Sequence, residues 1–148
     1  MGLIWQYLLV FLTAAVPMIE VMIVIPASVA AGMHPVPVGI LAFAGNATTL
    51  AVTVVLGDEA IGHLRGRRRR TEGSVSRRRE RIRRIAYRWG LPGVAVLGPV
   101  TVGSHAAALA AVALRMPRGR VLAWSIAGVA AWSVAFVVLS ALGRAVIV

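Results

Sequence analysis

The sequence predicts an all-α integral membrane fold. It reads as two inverted units, each a re-entrant helical hairpin plus a transmembrane helix, joined by an arginine-rich cytoplasmic loop. Three observations predict it. Hydrophobic residues make up 59% of the 148 residues and charged ones 14%, which leaves too little polar surface to cover a water-soluble globule. The charge is segregated, because twelve arginines lie between Arg65 and Arg88 and, with Glu72 and Glu80, give that stretch +10 of the formal net charge of +11. Proline and glycine interrupt apolar segments in both halves of the chain, at Pro26 and at Gly98-Pro99.

The first unit covers residues 3–57. Residues 3–16 are apolar and helix-compatible, but at 1.5 Å per residue they reach only about 21 Å, short of a hydrocarbon core roughly 30 Å thick. They lack the basic leader of a secretory signal, and Glu20 interrupts the apolar run that a signal needs. Extending the segment to Gly32 makes one helix too long and broken twice, so the expectation is a hairpin that turns near Pro26 and leaves Met33-His34-Pro35-Val36-Pro37 at the surface. Residues 38–56 then read as an ordinary span, closed by Gly57-Asp58-Glu59.

Residues 58–90 form the arginine-rich loop. A basic run of this kind could be a nucleic-acid arm, but between apolar spans the positive-inside rule assigns it to the cytoplasmic face, and no nucleic-acid partner is expected. Within it, Ile82, Ile85, Ala86 and Trp89 follow helical spacing among arginines, which predicts a basic amphipathic helix over residues 76–89 lying on anionic lipid.

The second unit covers residues 91–143. Gly90-Leu91-Pro92-Gly93 opens an apolar segment, Gly98-Pro99 breaks it, residues 106–114 return, and residues 121–142 make a final span containing Trp124 and Trp132. A full crossing by residues 93–114 would put Arg115, Arg118 and Arg120 on the outer face, whereas a re-entrant hairpin keeps both arginine clusters cytoplasmic. Inverted repeats whose broken helices meet at the midplane are a recurrent design of secondary transporters.

Glu20 is the only carboxylate of the opening apolar stretch, flanked by Pro17 and Pro26. A charge at bilayer depth costs roughly 2.5 to 3.5 kcal/mol, and intramembrane acids lie on ion or substrate routes. The carboxyl could hold a proton and a cation by turns, or simply accept hydrogen bonds at the break. Asn46, Thr49 and Thr53 share one helical face, and such side chains either line a polar path or join helices. Thr101, Ser104 and His105 follow Pro99 and are candidates for proton relay or for local hydrogen bonding. There is no cysteine, no metal-ligand spacing, no nucleophile beside a base and no phosphate-binding loop, so neither an enzyme nor a cofactor is expected.

With Pro17, Glu20, Ile25-Pro26, Gly32 and Gly45-Asn46 in one block, and Gly90-Leu91-Pro92-Gly93, Gly98-Pro99 and Thr101 to Gly103 in another, the chain resembles the small multidrug export protein family. That family is a relative of the DedA and SNARE-associated membrane proteins. The resemblance implies a multi-pass protein of the cell membrane that exports small or amphipathic solutes, cationic drugs being one candidate class, and the cost of an intramembrane acid makes Glu20 the expected proton-coupling carboxyl. The DedA relatives imply an alternative, transport of an anionic lipid such as a polyprenyl phosphate with Arg115, Arg118 and Arg120 attracting its headgroup. A third reading is a non-transporting scaffold held on anionic lipids by the arginine-rich loop. One chain of this size offers few walls for a path, so a homo-oligomer is expected.

Overall fold

The structure is a computed structural model that describes residues 2–17, 19–67, 90–93, 95–114 and 116–147; of residues 58, 62–67, 146 and 147 it describes the backbone alone. Every described element is a helix: α1 Leu3–Ala14, α2 Val21–Ala30, α3 Pro35–Arg67, α4 Gly90–Thr101, α5 Ser104–Ala113 and α6 Arg118–Ile147. The order short, short, long therefore occurs twice. Within α3 and α6 the stretches Pro35–Ile61 and Arg118–Ala145 are apolar and long enough to cross a bilayer. The short helices are not, since α1 has 12 residues and α2 and α5 have 10 each, which corresponds to roughly 15 to 18 Å.

Local chemistry explains where the chain breaks. α1 stops at Ala15, whose N–H bonds to the Phe11 carbonyl at 3.0 Å, because Pro17 has no N–H with which to extend the ladder. After residues 15–20 turn, Glu20 begins α2 from extended backbone, with φ −86° and ψ 167°. α2 ends at Gly32, whose φ of +93° suits glycine; its N–H bonds to Val29 O at 3.0 Å and that of Met33 to Ser28 O at 3.1 Å, the paired bonds of a Schellman motif. Pro35 and Pro37 follow in the first turn of α3, where a missing N–H breaks no helical bond. The second hairpin breaks at Gly103, with φ +89°, and the N–H groups of Val102 and Gly103 both bond to Gly98 O at 3.0 Å.

Three expectations are corrected. The first hairpin does not turn near Pro26, which lies inside α2. The second does not break at Gly98-Pro99, because α4 continues to Thr101. A proline removes one hydrogen bond, and packing of the remaining turns carries the helix past it. Pro26 thus belongs to the returning arm of its hairpin and Pro99 to the entering arm, so the two are not equivalent positions. Third, α3 runs through Gly57-Asp58-Glu59 to Arg67, so the span is longer than residues 38–56 and the segment expected as loop begins helical. The amphipathic helix expected over residues 76–89 lies outside the described residues.

The helices form two compact units. The first, Met1–Thr49 with Ala127–Val148, holds α1, α2, the start of α3 and the end of α6. Its core includes Val10, Ala14, Val21, Val24, Ile25, Val38 and Ala42. α3 approaches α1 so closely that a Cβ on Gly45 would strike the Phe11 carbonyl oxygen, and Val137 of α6 occupies the corresponding space at Gly39. Met33, six residues before Gly39, is bonded by Arg144, seven residues after Val137, so the start of α3 and the end of α6 run antiparallel. The second unit, Leu50–Ile126, holds the rest of α3, the hairpin of α4 and α5, and the start of α6. Its core includes Leu50, Val54, Ala108, Ala111 and Val121. A Cβ on Gly98 would lie 2.6 Å from that of Ala107, and Leu109 fills the space at Gly57.

Candidate functional site

In the first unit the turn between α1 and α2 places a carboxylate at interrupted backbone. Glu20 is 8% exposed. Its carbonyl accepts the N–H groups of Ile23 at 2.9 Å and Val24 at 3.2 Å, while its side chain makes no capping bond to α2. The extended conformation that Glu20 must adopt to start the helix directs the chain back along α1, and burial of the neighbouring Val21, Val24 and Ile25 holds the turn in the core.

Asn46 is fully buried, and neither its amide nitrogen nor its amide oxygen has a hydrogen-bond partner. Its neighbour Gly45 rests on the backbone of Phe11 and Ala15, the residues that lead into the turn before Glu20. A buried unsatisfied polar group costs about 1 to 3 kcal/mol and calls for an explanation. Thr49 donates to Gly45 O at 3.3 Å and Asn46 O at 3.2 Å of its own helix, and Thr53 belongs to the second unit. Of the expected stripe of Asn46, Thr49 and Thr53, Asn46 is the member whose buried side-chain atoms have no hydrogen-bond partner.

The second unit buries Ser104 and His105 at the start of α5, with 3.2 Å between Ser104 Oγ and His105 Nδ1. Thr101 does not join them: it is exposed and donates to Leu97 O at 2.8 Å. Pro26 and Pro99 are half-buried, within α2 and α4. Arg118 and Arg120 are exposed in the first turn of α6, and Arg115 lies outside the described residues. Among the described residues no group of three histidine, aspartate or glutamate side chains could hold a metal ion.

Two features were not anticipated. A groove of about 410 Å³ separates α1 from α2, walled by Leu9, Val10, Ile23 and Val24 with Gln6, Thr13 and Ser28 among them. Arg144, in the last turn of α6, donates from Nη1 to Met33 O at 3.2 Å and to Gly32 O at 3.5 Å. The available signal for Arg144 was its type and place, since a cation in a helix's last turn suits the helix dipole.

Residues 20–135 match the model of the family described as "Putative small multi-drug export protein". Comparison with curated proteins and with solved structures finds no match.

Proposed function

The chain belongs to the small multi-drug export protein family, and on that premise we propose that it is a proton-coupled secondary exporter of small or amphipathic cationic solutes, with Glu20 as the coupling carboxyl. The observation that carries the reading is a carboxyl buried at the turn between the short apolar helices α1 and α2. Ionised, Glu20 binds a cation; protonated, it releases it. One site then cannot hold both ligands, and that exclusion couples their movements. Asn46 adds a buried donor and acceptor with no other engagement.

Helix lengths support a re-entrant architecture. α3 and α6 are long enough to cross, while α1, α2 and α5 reach about half the hydrocarbon thickness. By the positive-inside rule the arginine-rich segment and Arg118 and Arg120 belong to the cytoplasmic face, and a re-entrant pair of α4 and α5 is the topology that keeps both arginine clusters there.

The test is uptake of a lipophilic phosphonium cation into proteoliposomes driven by a pH gradient. Wild-type protein should accumulate it, and Glu20→Gln should abolish the gradient-driven component. Undiminished gradient-driven uptake by Glu20→Gln would remove Glu20 from the mechanism.

A further inference from the structure

We propose that the groove between α1 and α2, with Arg144 at its rim, is a phospholipid site that takes one acyl chain between the helices and the phosphate on the guanidinium. The groove's volume, about 410 Å³, falls in the range of ligand sites, and its walls have their composition, apolar with a few polar groups. Since the hairpin turns at residues 15–20, the end of the groove away from the turn is the one bordered by Gln6, Ala31 and Met33. Arg144 is bonded to Met33 at that end.

Three observations identify the occupant. Among the described residues no carboxylate lines the groove, so a cation finds no partner on its walls, whereas an anion at the Met33 end lies next to the residue that Arg144 bonds. Arg144 is exposed, and its bonds to Met33 and Gly32 use Nη1 alone. Nε and Nη2 therefore remain for an anion, and a guanidinium pairs with phosphate through two parallel bonds. Trp5 is 61% exposed beside Gln6 at the same end, with Ile4, Leu8 and Leu12 exposed along α1. Tryptophan sits at the level of lipid headgroups and aliphatic side chains below it, which puts Arg144 at phosphate depth and the groove at the depth of acyl chains.

The experiment reconstitutes the full chain in vesicles of equimolar phosphatidylglycerol and phosphatidylcholine, extracts it gently and counts retained lipids by native mass spectrometry. Wild-type protein should retain phosphatidylglycerol in preference. Arg144→Gln should lose that preference by roughly tenfold or more, since the charge-assisted pair of bonds is lost, and Arg144→Lys should keep part of it. Ala27→Trp, which fills the groove from within, should lose the retained lipid of either class. Paired Arg118→Gln and Arg120→Gln changes should leave the groove lipid in place. The proposal fails if Arg144→Gln keeps the wild-type preference, if Ala27→Trp retains the same lipid, or if the α6 pair removes it. Should Arg144→Gln not fold, the Arg144→Lys and Ala27→Trp results decide alone. Retained lipid is read without export, so this result stands apart from that of the Glu20 test.

Discussion

Replacing Gly45 by alanine tests the close contact that sets α3 against the first hairpin. In an exposed helix the change gains about 1 kcal/mol from helix propensity. At Gly45 the new methyl would strike the Phe11 carbonyl oxygen and lie 3.2 Å from its carbon and 3.3 Å from the Ala15 nitrogen. All three are backbone atoms, so no rotamer change relieves the contact. The end of α1 must retreat by roughly 1 Å to restore ordinary van der Waals distance, and overpacking of this kind costs about 1 to 3 kcal/mol. Gly143 supplies the control, because it is exposed in α6 and a Cβ there meets nothing within 4 Å. The two variants should therefore differ by about 1 to 3 kcal/mol, with Gly143→Ala the more stable. Circular dichroism during denaturant unfolding in mild detergent measures the difference. If Gly45→Ala unfolds at the same midpoint as Gly143→Ala, α1 does not rest on α3 at this point.

Two further variants separate structural from functional roles. Asn46→Leu removes a buried amide without partners and should stabilise the fold by about 1 to 3 kcal/mol while lowering phosphonium uptake; a loss of stability would mean that the amide is satisfied. Pro26→Ala restores a bond inside α2 and should stabilise by about 1 to 3 kcal/mol. If the chain turned at Pro26, the same change would instead destabilise by about 0.4 to 1 kcal/mol through the unfolded state.

Apolar segment lengths made the division into short and long helices legible, and local backbone chemistry did not. The apolar content of residues 3–16 is too short to cross, and the helices divide accordingly. The position of each break was misread because proline was treated as the point of turning. Pro17 ends α1 and turns the chain, while Pro26 is absorbed by a helix whose Val21, Val24, Ile25 and Val29 are all buried. At the second hairpin the turn needs φ of +89°, which Gly103 supplies and Pro99 cannot. Glu20 and Asn46 could be chosen from sequence because a carboxylate or amide within an apolar run is costly wherever it packs. Which threonines bond to their own helix depends on rotamers that spacing does not fix. Arg144 was invisible because its partners, the carbonyls of Gly32 and Met33, lie more than a hundred residues away in the chain and exist as acceptors only once α2 has ended there.

The coupling role of Glu20 is tested most directly by proton release. Purified protein in a weakly buffered detergent solution, titrated with a lipophilic phosphonium cation, should release about one proton per cation bound, the stoichiometry of a single shared carboxyl. Glu20→Gln should release none. Release that persists in Glu20→Gln, or cation binding by the wild-type protein with no proton appearing, would contradict the account.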